Sequence, residues 1–242
     1  IHHNKDAVHT YPYQMRGKTM KGDVGTKKWA SCQRARAMEI MKSISVRDEI
    51  LEEAKGWYNA HFEEDEPVLG VHMRGTDKWI TAKHLPEQYS EEIQTFLNHY
   101  PEGKIFLATD DPNFLLATRR KYGYALTVRP TARQVDNAFL DDVLDKDRKC
   151  KDVLMDSLIL SRTTKFIKSW SGVAEFSILF RSKYQPGAIF HVVDLQLNPN
   201  DADDAKSSCT DKSENLVVAI KKASDHKSSN EPKPAKETVF GR

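Results

Sequence analysis

Val68-Leu69-Gly70-Val71-His72-Met73-Arg74-Gly75-Thr76-Asp77-Lys78 changes character halfway along. Six largely apolar residues run straight into a cation, a glycine, a hydroxyl, an acid and a second cation. An apolar run this short, with its polar groups gathered beyond its end, reads as a strand buried on both faces, as in parallel sheets. The acidic break Glu63-Glu64-Asp65-Glu66-Pro67 sets it off from what precedes.

The same rhythm continues on both sides. Upstream, Cys32–Met41 and Val46–Phe62 carry apolar residues at helical spacing, with Asp48 and Glu49 in the first turn of the second segment, where a helix N-terminus favours anions. Downstream, helices are predicted over Pro86–Tyr100, Asn113–Tyr122, Cys150–Ser161 and Gly172–Arg181. Strands are predicted over Lys104–Thr109, Tyr124–Val128, Lys165–Ser169 and Ala188–Val193. Strands alternating with helices at these lengths predict an α/β fold, a Rossmann-like parallel sheet with helices on both faces. Residues 1 to about 30 are turn-rich and show no steady period. Residues 199–242 are rich in Asp, Lys, Ser and Pro, with Phe240 the one aromatic. Such a stretch buries too little to offset its ordering entropy and reads as a disordered tail.

Composition narrows the class. Of 242 residues, 39% are hydrophobic and 30% charged, and 37 bases against 35 acids leave a net charge of +2. That balance exerts no global pull toward nucleic acid or an anionic membrane surface. Cys32, Cys150 and Cys209 are too few and too scattered for a disulfide framework or a Cys-rich zinc site. No apolar run reaches the roughly 18 residues a membrane span needs. The chain opens Ile-His-His with no secretory signal in view, which reads as a piece of a longer protein.

In doubly wound sheets ligands bind beyond the carboxyl ends of the strands. The first strand is followed by His72, Arg74, Thr76, Asp77 and Lys78, the second by Thr109, Asp110 and Asp111, the fourth by Ser169, Ser171 and Gly172. On one sheet edge these would offer cations, carboxylates and a helix N-terminus, a set suited to a diphosphate and a sugar or ribose. Each has a plainer reading. Arg74 could pair with Asp77 at the surface, and His72 could be a satisfied core histidine. Asp110-Asp111-Pro112 and Ser171-Gly172 could do no more than open helices. Gly70 and Gly75 make neither a GxGxxG nor a P-loop. Spacing alone stops at a nucleotide-binding α/β domain.

Gly70-Val71-His72-Met73-Arg74-Gly75-Thr76-Asp77-Lys78 resembles the first signature of the α1,6-fucosyltransferase and nodulation-fucosyltransferase group, roughly G-V-H-x-R-R-T-D-K. Leu107-Ala108-Thr109-Asp110-Asp111-Pro112 is similar to the second block of that family. Asp152 to Phe180, with Asp156 and Lys168-Ser169-Trp170-Ser171, is similar to the third. The resemblance covers roughly 68–182 and implies the donor-binding part of a GT-B glycosyltransferase, an inverting enzyme that takes fucose from GDP-fucose and needs no metal or other cofactor. On that reading residues 1–66 are a remnant of an upstream, acceptor-side region with linking helices, 67–198 the GDP-sugar-binding domain, and 199–242 the tail.

The implied roles follow the chemistry. A departing GDP gains negative charge, which cations and amides must meet where no metal does. Arg74 is expected to grip the β-phosphate bidentately as the catalytic cation. The amides near Ser171 and Gly172 are expected to hold other phosphate oxygens, with Ser169 beside them. His72 is expected beneath the nucleotide, with Asp77 orienting Arg74 and Lys78 behind it. Asp110, Asp111 and Asp156 complete the expected donor site, Asp110 and Asp156 toward guanine or ribose.

Two departures qualify the resemblance. Gly75 stands where the α1,6 group has a second arginine, a feature that protein O-fucosyltransferases also lack. Trp79 to Lys83 holds no acid where that group carries its presumed base, leaving the role to another Asp or Glu, to His84, or to a residue outside the chain. The expected partners are GDP-fucose and a glycan or glycoprotein acceptor. Membrane attachment is expected only through an anchor outside this chain. The implied compartment is the Golgi or ER lumen, or the cytoplasm for a bacterial relative. The alternative is a catalytically degenerate GDP- or carbohydrate-binding module. A phosphate-ester hydrolase using His72 and Arg74 fits poorly, because the loop lacks the Arg-His-Gly order of histidine phosphatases.

Overall fold

The structure is a computed structural model describing residues 27–76, 83–131, 133, 146–169, 171–188 and 190–195. The expected positions Asp77 and Lys78, and the expected tail over 199–242, lie outside the described residues.

Two helices lead in, α1 (Lys27–Met41) and α2 (Asp48–His61). Next come β1 (Val68–Met73), a 3-10 turn (Pro86–Tyr89) running into α3 (Ser90–His99), and β2 (Lys104–Thr109). After these follow α4 (Pro112–Tyr122), β3 (Leu126–Thr127), α5 (Lys146–Leu160), β4 (Lys165–Lys168), α6 (Gly172–Tyr184) and β5 (His191–Asp194). The five strands form one sheet in the order β3-β2-β1-β4-β5, every pair parallel. This is the α/β, Rossmann-like architecture that the strand–helix alternation predicts. The order reverses between β1 and β4, so the crevice of such folds opens where those two strands end.

Both faces of the sheet are covered, which is why the strands are apolar throughout. β1 is buried at all six positions. On one face Val68, Phe106, Ala108 and Phe166 pack with α5 and α6 and with Met41, Ile50, Ala54 and Phe62. On the other, Leu69, Val71, Met73, Ile105 and Leu107 pack with Ile93, Phe96 and Leu97 of α3 and Phe114 of α4. The two-residue period of the pleat deals successive side chains to opposite cores. Gly70 marks the closest approach of the α5–β4 connection, since a Cβ there would lie 2.6 Å from Thr163 Oγ1.

Three strands are shorter than the sequence predicts, β4 by its last residue alone. β3 begins at Leu126 because the Ala125 amide turns back to donate to the Tyr122 carbonyl, leaving Tyr124 at the surface. β5 begins at His191 because the chain after α6 makes a turn through Gly187, whose φ of +84° suits a residue without Cβ.

Candidate functional site

The register of the sheet assembles the site. His72 lies opposite Ala108 of β2 and Lys168 of β4, so the next residues of all three strands emerge on one edge. There Asp110 organises the loop leaving β1. Its Oδ1 accepts the Gly75 N–H at 2.7 Å, and its Oδ2 accepts the Thr76 hydroxyl at 2.8 Å and lies 3.1 Å from Arg74 Nε. Lys83 Nζ donates to the Thr76 carbonyl at 3.2 Å and braces the loop further. Gly75 is required by space. A Cβ at that position would fall onto the Cβ of Asp111 and within 2.6 Å of its Oδ2.

A cleft open to solvent lies over this edge. His72 lines it from β1 and Arg74 and Thr76 from the loop beyond, Thr109 from the end of β2 and Asp110 just past it, Val173 from α6, and Lys149, Asp152 and Asp156 from α5. His72 shares its face of β1 with Val68 and Gly70 and is buried, whereas Arg74 keeps about a fifth of its side chain exposed. Burial pushes the Asp156 carboxyl up to about 6, against the pull of Arg129 and Arg133.

The sequence candidates divide accordingly. His72, Arg74, Asp110 and Asp156 meet in the cleft. Asp110 is engaged with the Arg74 loop, where the sequence reading aimed it at base or ribose. Asp111 sits behind the cleft as the N-cap of α4, its Oδ1 accepting the Asn113 N–H at 2.8 Å. Ser169 is fully buried past the end of β4, on the side of the Tyr89 hydroxyl, which burial raises to about 12. Ser171 is the N-cap residue of α6 with extended backbone and no side-chain cap bond, and Gly172 follows as the first helical residue. The first-turn amides there are left to other acceptors.

Behind that N-terminus lies a buried ionic cluster. Lys168 Nζ is 2.8 Å from Glu175 Oε1 of α6 and pairs with Asp194 of β5. Arg34 of α1 donates to both Glu175 oxygens at 3.0 and 3.2 Å. Burial would raise the Glu175 carboxyl, but Lys168 and Arg34 outweigh it and hold the group below its ordinary value. A neutralised Glu175 leaves the positive end of the α6 dipole uncancelled toward the cleft.

The end of the third strand also belongs to this edge and is not among the positions the sequence singles out. Arg129 and Arg133 follow that strand, and the same rule applied there finds Arg129. Arg133 staples this segment to β2, its Nε donating to the Thr109 carbonyl at 3.1 Å and its NH2 to the Arg129 carbonyl at 3.1 Å. Lys149 and Asp152 were findable too, since they precede Asp156 by seven and four residues on α5 and so share its face. Among the described residues no group of three or more His, Cys, Asp or Glu side chains is gathered to hold a metal ion, and no helix is long and apolar enough to cross a membrane.

No family model and no curated protein matches the chain. Several solved structures do. POFUT1 in complex with GDP-fucose is similar at 14% identity and a TM-score of 0.47, over 67% of this chain and 50% of that one. The NodZ alpha-1,6-fucosyltransferase soaked with GDP-fucose is similar at 21% identity and a TM-score of 0.41, over 58% and 44%. The fucosyltransferase NodZ from Bradyrhizobium is similar at 20% identity and a TM-score of 0.43, over 64% and 46%. The chain spans about half the length of the solved proteins it matches.

Proposed function

We propose that this chain is the donor-binding part of a fucosyltransferase, holding GDP-fucose in the cleft at the carboxyl edge of its sheet. The observation that carries the reading is the pinned loop. A single carboxylate, Asp110, takes the Gly75 amide and the Thr76 hydroxyl and sits beside Arg74, fixing that guanidinium at the mouth of a cleft beside the switch point. The three sequence blocks that resemble the α1,6-fucosyltransferase group meet at this place.

In the proposed reaction an acceptor hydroxyl attacks the anomeric carbon of fucose on the face opposite GDP. The bond from that carbon to the β-phosphate oxygen breaks, its electron pair stays with GDP, and the configuration inverts. The hydroxyl proton passes to a base. Arg74, through two parallel N–H donors, and the uncapped amides opening α6 meet the growing charge on the β-phosphate, doing the work that a metal ion does elsewhere. Asp156, facing the cleft from α5, accepts from the guanine ring, and His72 lies beneath the nucleotide. The acceptor is a glycan or glycoprotein.

Turnover of labelled GDP-fucose by the full-length gene product tests this. Fucose transfer or slow hydrolysis in the wild type, lowered at least about 100-fold in Arg74→Ala with the fold intact, is the expected result. The absence of an acid between Trp79 and Lys83 favours the second reading, a binding module. GDP bound tightly with no turnover in any form would establish it.

A further inference from the structure

Asp156 does not face the cleft alone. Arg129, two residues beyond β3, spans it and its neighbour one turn earlier. NH1 donates to Asp156 Oδ1 at 3.0 Å and to the Asp152 carbonyl at 3.0 Å, and NH2 donates to Asp152 Oδ1 at 2.9 Å. Only about a tenth of the Arg129 side chain is exposed, and Arg133 ties its carbonyl into a wall anchored on Thr109. Asp156 Oδ2 accepts no hydrogen bond among the described residues.

We infer that Arg129 is a positioning residue for base recognition, holding the Asp156 carboxylate oriented and charged against the nucleobase. The inference rests on the reading of the cleft as a GDP site. Guanine presents N1–H and an N2 amino group side by side, two donors that one carboxylate accepts together, as it would accept an arginine fork. Adenine presents a bare N1 acceptor there, which the carboxylate repels. This selection holds only while Asp156 is ionised, because a protonated carboxyl offers a donor of its own. Burial works against ionisation, and Arg129 is the strongest opposing influence, ahead of Arg133.

The charged groups around Asp156 are Arg129 and Arg133 after β3, Lys149 and Asp152 on α5, His72 and Arg74 at the end of β1, and Asp110 at the end of β2. The terminal phosphate of GDP titrates in the same range, so a double-mutant cycle across pH isolates the pair better than any one curve. GDP is titrated calorimetrically between pH 5.5 and 8.5 against the wild type, Arg129→Met, Asp156→Asn and the double variant. Arg129→Met should weaken binding about tenfold at pH 7 and recover by threefold or more toward pH 8.5. In the Asp156→Asn background the same change should cost less than twofold at every pH. A wild type that binds GDP while Arg129→Met follows its pH curve, or loses equally in both backgrounds, overturns the inference. A wild type that binds no GDP overturns the reading of the site instead. If Arg129→Met does not fold, Arg129→Lys decides, since lysine keeps the charge but cannot bridge two carboxylates. It should fall between the two, and wild-type behaviour at every pH overturns the inference.

Discussion

Gly75 and Asp110 show how closely the site is built. The space a second side chain would need beside Arg74 is taken by Asp111, the cap of α4. Replacing Gly75 with alanine is expected to destabilise the protein by about 1–3 kcal/mol through overpacking and to weaken GDP binding by displacing Arg74, as urea denaturation and calorimetry would report. Gly75→Arg should behave no better, although it restores the residue of the related signature. Asp156 carries the opposite balance. Its carboxyl is raised from 3.8 to about 6, so the fold disfavours its charged form, and stability from this group falls as pH rises across that interval. Asp156→Asn should therefore stabilise the empty protein at pH 7 by on the order of 2 kcal/mol while losing affinity for GDP. Equal or lower stability would refute that assignment of strain. At this scale the sequence was legible for residue type and not for partner. An acid after a strand looks alike whether it accepts from a ligand or from the amide of Gly75, 35 positions away in the chain. For the same reason the sequence points Asp110 at a nucleoside.

The element that aims the site is α6, and it is held by charge. Lys168 is fully buried between Glu175 and Asp194, so it ties β4 to both α6 and β5, while Arg34 adds α1 to the same cluster. Lys168→Met leaves two buried carboxylates short of a cation and should cost about 3–5 kcal/mol, read as a lowered urea midpoint. Glu175 titrates below its usual value of 4.5, so its contribution is complete above that pH and is lost as the pH falls through the depressed value. Acid unfolding is expected to set in below about pH 4.5 and to lose part of its steepness in Glu175→Gln. Elements of this kind are legible where they are apolar. β1 and β2 match the sequence prediction residue for residue, because a strand covered on both faces must be apolar along its length. The two-residue β3, at the sheet edge and only partly buried, leaves a weaker pattern, and its predicted limits were too wide.

For the molecule as a whole, the parallel order β3-β2-β1-β4-β5 brings the ends of β1, β2 and β4 to one edge, and α5 closes it from the side. A net charge of +2 across 242 residues conceals this, because the cations that matter, Arg74, Arg129, Arg133 and Lys149, are gathered around one cleft and partly balanced there by Asp110, Asp152 and Asp156. Such a local charge pattern suits a diphosphate bearing a base with paired donors better than an extended polyanion. A ligand bound there stabilises the fold by mass action, so saturation at about 100 times its Kd should add about 2.7 kcal/mol, visible as a raised melting temperature. The most direct measurement is calorimetric titration of the wild-type chain with GDP and, separately, with UDP at pH 7.5. GDP is expected to bind and UDP to bind at least tenfold more weakly; no binding of either, or a preference for UDP, would overturn the assignment of the cleft to GDP.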